Sequence, residues 1–293
     1  MTILRSLLFV PGNKANMLDK ALALTPDAFV PDMEDSVPAA EKANARDTVQ
    51  SFLPKLAARG RIVIPRVNAF DTEWFDADVA AVVGRDIFGI SIGKVRTAAD
   101  ISAISQALAK HEQLAGLPNG HSRLLPWIET AEAIVNVNAI CRASERIFAV
   151  AFGGEDFTND MGIERLADES QVAYARQRLC VTARAAHVLA LDTPYFKLRD
   201  SDGLRTNSAH AKSIGFKGKF AIHPEQIDAL NECFSPSEAE IAHAERVVAA
   251  FDEAERRGRG STSLDGWVID VPVVKRARAL LDLARRIRED RDR

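Results

Sequence analysis

Acidic side chains directly follow two apolar segments in the middle of the 293-residue chain. Glu129 comes after the segment 124–128, and Asp156 follows the segment 147–152 across a Gly-Gly pair. Such segments are typical of strands buried on both faces, and the glycines allow a ligand to approach the backbone closely. One helix between the two strands would make them parallel neighbours and would bring both carboxylates together. Because adjacent carboxylates repel each other, this arrangement predicts a bound divalent cation.

The ligand types indicate which cation this is. An oxygen-only site without histidine or cysteine favours magnesium, or manganese, over zinc. Arg66 follows another apolar segment and adds a planar cation to the same set. A magnesium ion beside an arginine can bind the carbonyl of a 2-oxo or 2-hydroxy acid and stabilise an enolate. The residues therefore predict chemistry that makes or breaks a carbon–carbon bond next to a carbonyl.

The remaining charged residues at predicted strand ends have structural alternatives. Glu34 and Asp35 could take part in the site or cap the helix that begins near residue 38. Arg66 could be their structural partner, a role that is compatible with substrate binding because a clamped guanidinium is also a positioned one. Lys94 could be a Schiff-base lysine, but metal-type carboxylates favour a different way of stabilising negative charge. His223 is better explained as a satisfied buried histidine.

The elements that must position these residues alternate between strand-like and helix-like patterns. Apolar strand-like segments recur at intervals of roughly thirty residues, as expected for a (β/α)₈ TIM barrel, whose active sites lie at the carboxyl ends of the strands. They are residues 4–10, 28–30, 62–64, 88–92, 124–128, 147–152, 188–191 and 219–222. An open doubly wound sheet is the alternative, but it would need a glycine-rich phosphate loop after its first strand. The chain has only Gly12 there.

The pattern changes after Pro224. Two helical segments, 237–257 and 271–288, flank a Gly/Ser-rich link at 258–263, which is typical of a hinge or a lid. We therefore predict a catalytic barrel over residues 1–232 and a C-terminal helical extension over residues 233–293. The extension would contribute to the active site and to oligomer contacts.

The bulk composition excludes several classes of protein. The net charge of −3 gives no electrostatic indication of a nucleic-acid or anionic-membrane partner. Three widely spaced cysteines without a C-x-x-C motif are typical of reduced thiols, and no apolar run is long enough for a membrane span or a signal peptide. These features predict a cytoplasmic protein.

Seven motifs in order resemble the CitE-like branch of the HpcH/HpaI aldolase family, whose members include the citrate lyase β subunit, malyl-CoA lyase and citramalyl-CoA lyase. They are RSLLFVPG at 5–12, DMEDSV at 32–37 with the following EK and AR pairs, RVN at 66–68, IET at 128–130, FGGED at 152–156, IHP at 222–224 and VIDVP at 268–272. The resemblance implies a TIM barrel that binds magnesium through Glu129 and Asp156, with Arg66 polarising the substrate carbonyl. Glu34 and Asp35 are assigned to the catalytic set with Arg66.

The resemblance also implies the substrate contacts. Phe9, Lys14 and Lys20 would bind the CoA portion, and backbone amides around Gly154 and Glu155 would receive the substrate carboxylate. The expected activity is magnesium-dependent cleavage of a malyl-, citramalyl- or citryl-CoA-like thioester into an acyl-CoA and a 2-oxo acid, or the reverse reaction. The alternatives are an aldolase for free hydroxy-oxo acids and a subunit that acts only inside a larger complex.

Asp270 lies outside the barrel units, in an apolar segment that opens the final helix. It could simply be the N-cap of that helix, with Pro272 in the first turn. Alternatively, it exchanges a proton with the α-carbon of the acyl-CoA. The resemblance implies that this aspartate reaches the active site of a neighbouring subunit, which requires a homo-oligomer, a trimer or a hexamer built from trimers.

Overall fold

The computed structural model describes residues 2–166 and 168–291. These residues form two compact units, 2–231 and 232–291. No helix in the described ranges combines the length and apolar character that a bilayer crossing requires.

The larger unit is a closed barrel of parallel strands, which confirms the predicted TIM barrel. Eight strand positions close because β1 pairs with both β2 and β9. The strands are β1 (Ser6–Pro11), β2 (Ala28–Asp32), β3 (Ile62–Val63), β4 (Arg66–Val67), β5 (Gly89–Ile92), β6 (Arg123–Ile128), β7 (Ala149–Phe152), β8 (Leu189–Asp192) and β9 (Gly218–Ala221). The third position is divided into β3 and β4 at Ile64-Pro65, because a proline has no N–H for the ladder.

Helices connect the strands, as the right-handed crossover of parallel strands requires. In the barrel unit they are α1 (Ala15–Ala21), α2 (Lys42–Leu56), α3 (Phe75–Val82), α4 (Ala98–Leu114), α5 (Ala131–Arg142), α6 (Gly154–Asp160), α7 (Ala173–Ala185) and α8 (Ser201–Ile214), and α9 (Gln226–Phe234) crosses the boundary at residue 231. The local sequence determines where several of these helices begin. Thr97 and Asp100 form a capping box at α4, and Thr130 accepts from the Ala133 amide at α5.

The barrel interior is filled by apolar side chains. Aromatic rings of Phe9, Trp127 and Phe220 stack at centroid distances of 4.4 to 5.8 Å among buried aliphatic residues. This packing fills the barrel below its carboxyl-terminal rim, as is typical of TIM barrels.

The smaller unit contains two long helices and a hairpin. Helices α10 (Glu238–Arg256) and α11 (Val271–Arg291) pack around Val247, Phe251 and Val274. Strands β10 (Thr262–Leu264) and β11 (Trp267–Ile269) are antiparallel, with Asp265 and Gly266 at positive φ in the turn between them. The Gly/Ser-rich link predicts a hinge or a lid here, and the hairpin is an additional element whose sequence signal is the Asp-Gly pair at its turn.

Candidate functional site

A cavity of about 450 Å³ opens at the carboxyl ends of the barrel strands. Polar residues predicted at four strand ends line it together with apolar side chains from the barrel interior. The lining includes Phe9, Asp32, Asp35, Arg66, Trp127, Glu129, Gly153, Gly154, Glu155, Asp156, Thr193 and Phe196. Parallel register explains this gathering, because the carboxyl ends of all the strands meet at one rim.

Arg66 is clamped at one side of the cavity by three acids. Its Nε and Nη2 donate to the two carboxylate oxygens of Asp32, both at 2.7 Å. Its Nη1 donates to Asp35 at 3.1 Å and lies 3.2 Å from Glu34 Oε2. Asp32 and Arg66 are direct partners in the β2–β4 register, so the backbone itself aligns this bidentate pair. The sequence analysis anticipated Glu34 and Asp35 as partners of Arg66 but did not identify Asp32 as the main one.

This clamp fixes the guanidinium but does not use all its donors. An arginine has five N–H groups, and three of them donate in the bonds to Asp32 and Asp35. The guanidinium carbon lies over the Phe9 ring, 4.6 Å from its centroid, in a cation–π contact that also helps to hold the group. The N–H groups that do not bind Asp32 or Asp35 are held at the cavity wall by this fixed guanidinium. This geometry suits recognition of a substrate oxygen.

The same clamp separates the protonation states of two neighbouring acids. Burial alone would raise the pKa of Asp32, but the charge and hydrogen bonds of Arg66 lower it below its ordinary value. Burial raises the pKa of Glu34 to about 8, and the nearby Asp35 and Glu129 charges raise it while Arg66 opposes them. At neutral pH, Asp32 is therefore ionised, whereas Glu34 is largely protonated. Asp35 pairs with Arg66, and no cap by its side chain is seen at the short helix beginning near Pro38.

Glu129 and Asp156 lie on neighbouring strand units, as predicted. The strands β6 and β7 are parallel partners, and Glu129 follows the first while Asp156 stands in the first turn of the helix after the second. Lys94 joins the two acids, with its Nζ 2.6 Å from Asp156 Oδ1 and 3.4 Å from Glu129 Oε1. Burial raises the pKa of Glu129 above its ordinary value and so does Asp156, whereas Lys94 opposes the rise.

Two glycines, Gly93 and Gly153, make room for the Glu129 side chain. Neither contact is evident from the sequence. A Cβ on Gly153 would lie 2.5 Å from both Cβ and Oε2 of Glu129. A Cβ on Gly93 would lie within 3.1 Å of carboxylate oxygens of both Glu34 and Glu129. Real Cβ atoms do not approach this closely, so the acids occupy space that only glycine leaves open.

The donor set fits a magnesium ion. Within residues 2–166 and 168–291, no three acidic, histidine or cysteine side chains form a complete cage. Magnesium does not require one, because it is usually held by one or two carboxylates and keeps water or substrate as its other ligands. Besides the largely protonated Glu34, four acids share this rim with the cations Arg66 and Lys94: Asp32, Asp35, Glu129 and Asp156. The excess of acids is suited to a further cation, which Glu129 and Asp156 would hold.

The predicted carboxylate-binding amides are only partly available. The Gly154 amide donates to Thr193 Oγ1 at 3.2 Å, so it is not the free donor that the sequence analysis expected. A substrate carboxylate would have to displace the threonine hydroxyl. The Glu155 side chain pairs with Arg165 at 2.6 Å, and Arg165 lies 5.9 Å from the Phe196 ring at the cavity. Sequence reasoning missed Arg165, because it stands in a loop without a strand-end signal.

The residues predicted to bind CoA lie in two different settings. Phe9 lines the cavity floor between Arg66 and Trp127. Lys14 and Lys20 are exposed on the β1–α1 loop and on α1, and neither lines the cavity. Their contact with CoA stays a prediction.

Other polar residues near the strand ends, and Asp270 in the smaller unit, are engaged in local contacts. Asp192 is fully buried and pairs with Lys219 at 2.5 Å and with Arg176 at 2.8 Å, in the barrel wall. His223 is partly exposed and accepts from the Glu225 amide at 3.3 Å, so it is not the buried histidine that was expected. In the smaller unit, Asp270 caps α11 by accepting from the Val273 amide at 3.3 Å. A catalytic role for Asp270 stays a prediction.

Comparison with known proteins places this site in a family. The model of the HpcH/HpaI aldolase/citrate lyase family matches residues 5–224. The chain is 38% identical over 282 residues to the citrate lyase subunit beta of Escherichia coli, covering 96% of this chain and 93% of the relative. It is 37% identical over 284 residues to the (3S)-malyl-CoA thioesterase of Cereibacter sphaeroides, covering 97% and 95%.

Solved structures agree with these relatives. The CitE protein of Mycobacterium tuberculosis, in complex with magnesium, acetoacetate and coenzyme A, superposes with a TM-score of 0.80 at 26% identity, covering 96% of this chain and 98% of that one. A citrate lyase from Burkholderia xenovorans shares the fold with a TM-score of 0.86 at 21% identity, covering 96% of this chain and 92% of that one. The chain belongs to the HpcH/HpaI aldolase/citrate lyase family.

Proposed function

We propose that the protein is a magnesium-dependent carbon–carbon lyase that cleaves a hydroxy-carboxyacyl-CoA of the malyl, citramalyl or citryl type into an acyl-CoA and a 2-oxo acid, or joins them. The observation that carries this proposal is that the clamped Arg66 and the two acids Glu129 and Asp156 line one cavity. The relatives named citrate lyase subunit beta and malyl-CoA thioesterase, and the CitE complex with magnesium and coenzyme A, support the substrate class.

The residues suggest how the bond is cleaved. When bound, magnesium would supply positive charge to the 2-oxo or 2-hydroxy end of the substrate. Asp35 takes the proton of the substrate hydroxyl, and the unengaged N–H groups of Arg66 hold the oxygen as it becomes a carbonyl. The carbon–carbon bond breaks, and its electron pair forms the enolate of the acyl-CoA, which then takes a proton at the α-carbon. Glu34 keeps Arg66 in place and is itself largely protonated at neutral pH.

We further propose that the α-carbon proton comes from Asp270 of a neighbouring copy in a homotrimer or a hexamer. The hairpin beside Asp270 exposes Trp267 and Val268, at 78% and 70% of their surfaces. Apolar side chains exposed together mark a contact surface on a soluble protein. The cap that Asp270 provides to α11 uses one carboxylate oxygen, Oδ1.

The test is a product assay on the purified chain. Malyl-, citramalyl- and citryl-CoA are offered separately, with magnesium or with EDTA, and the 2-oxo acid, the acyl-CoA and free CoA are each quantified. We expect a 2-oxo acid and an acyl-CoA in equal amounts, only with magnesium. Free CoA without a 2-oxo acid would indicate thioester hydrolysis instead. Cleavage only of free hydroxy-oxo acids, or activity only with an added carrier protein, would support the alternative functions.

A further inference from the structure

We propose that Lys94 is an exchangeable counterion of the metal site. Its ammonium holds Glu129 and Asp156 together in the metal-free protein and leaves when the divalent cation binds. This inference rests on the proposed function, because it requires that Glu129 and Asp156 bind the metal.

The Lys94 ammonium lies at the two carboxylates that would hold the metal. The Nζ atom lies 2.6 Å from Asp156 Oδ1 and 3.4 Å from Glu129 Oε1, so it contacts both carboxylates that would hold the ion. Two cations cannot share one pair of oxygens at these distances without strong repulsion. Binding of a divalent ion by this pair therefore requires the ammonium to move.

The main chain and the side chain of Lys94 are tied to the site in different ways. The Lys94 backbone amide donates to Glu129 Oε1 at 2.7 Å, and the residue has a left-handed φ of 59°. A lysine seldom adopts this conformation, so its surroundings hold it there. The backbone contact can orient Glu129 in both states, while the long side chain, one third exposed, is able to leave.

The Lys94 ammonium also neutralises negative charge on Glu129 and Asp156. The Glu129 side chain is only 3% exposed, and Glu34 approaches the same space beside Gly93. Removal of the Lys94 charge would leave Glu129 and Asp156 without their shared counterion in the metal-free state. A protein without that charge should be less stable when empty and should bind the divalent ion more tightly, because no ammonium has to be displaced.

The experiment compares Mg²⁺ binding by the metal-stripped wild-type protein with binding by Lys94→Met, using titration calorimetry at fixed pH and salt. Methionine is unbranched like lysine and only one atom shorter, but it carries no charge. In this variant no ammonium competes with Mg²⁺ for Glu129 and Asp156. The Kd for Mg²⁺ should therefore be about tenfold lower than in the wild-type protein. Lys94→Arg keeps the charge and should bind like the wild-type protein. Lys110→Met removes a surface lysine paired with Asp76 and is the matched control, with no expected change.

Thermal unfolding gives a second readout that separates this role from simple loss of structure. Metal-free Lys94→Met should unfold at a lower temperature than the metal-free wild-type protein, and saturating Mg²⁺ should close the difference. An equal or higher Kd in Lys94→Met overturns the counterion role while leaving the metal site intact. Absence of Mg²⁺ binding by the wild-type protein would overturn the proposed function as well. If Lys94→Met does not fold, Lys94→Gln replaces it in the same comparison.

Discussion

Replacement of Arg66 by lysine keeps the positive charge and removes the planar fork. Arg66 donates three charge-assisted hydrogen bonds, two to Asp32 and one to Asp35. A lysine ammonium is a single point and can keep about one of them, and each lost bond of this kind is worth roughly 1.5 to 3 kcal/mol. Asp32 retains amide hydrogen bonds from Glu34 and Ser36, which favours the lower end of this range. We expect a loss of about 3 kcal/mol in the free energy of unfolding.

The same change should affect catalysis independently of stability. Loss of one positioned donor to a developing oxyanion costs about 100- to 1000-fold in kcat. We expect kcat for thioester cleavage to fall by this amount and KM to change less, since the substrate oxygen needs the contact more while it loses its proton than it does in the ground state. Urea unfolding and steady-state kinetics on the same preparation measure the two effects.

Arg5→Lys is the matched control for this experiment. Arg5 makes a comparable buried, bidentate pair with Asp27, at 2.7 and 2.9 Å. This pair precedes β1 and β2, at the opposite end of the strands from the cavity. Arg5→Lys should therefore lose stability to a similar extent and keep kcat. If Arg66→Lys loses stability but keeps kcat as well, Arg66 only holds the acids in place and the reasoning is refuted.

Three further predictions concern other parts of the site. Gly153→Ala should weaken Mg²⁺ binding at least tenfold in calorimetry, because its Cβ would displace Glu129, whereas Gly84→Ala, which meets only one atom at 3.8 Å, should have no effect. In metal-free protein, the raised pKa of Glu34, about 8, contributes stability that is complete below pH 4.5 and is lost as the pH rises through 8. Urea unfolding across this range should show a loss that is absent in Glu34→Gln, and equal slopes would contradict the assignment. Mixed oligomers of inactive Asp270→Asn and inactive Glu129→Ala should regain activity if Asp270 serves a neighbouring copy; if mixed oligomers form without activity, Asp270 does not act in trans.

The barrel was predictable because its signals are local and repeated. Apolar segments such as 124–128 and 147–152 carry the composition of strands buried on both faces, and Thr130 marks the helix start between them. The closure of parallel strands then requires that their carboxyl ends meet. This is why the pairing of Glu129 and Asp156 across one rim could be anticipated from spacing.

The details that the sequence did not indicate depend on distances across strands. The bidentate contact between Asp32 and Arg66 follows from the β2–β4 register, which is interrupted after β3 by a proline. The space that Gly153 leaves for Glu129 is visible only when the neighbouring strands are packed. The Lys94 ammonium between two acids depends on a left-handed backbone that nothing in its local sequence predicts.

The central claim is that Glu129 and Asp156 hold a magnesium ion that carbon–carbon cleavage requires. Its most direct test measures Mg²⁺ stoichiometry and 2-oxo acid release on the same samples of wild-type protein, Glu129→Gln and Asp156→Asn. We expect one ion per wild-type chain, and loss of both the ion and the 2-oxo acid in each folded variant. Full 2-oxo acid release from either variant in EDTA would contradict the claim.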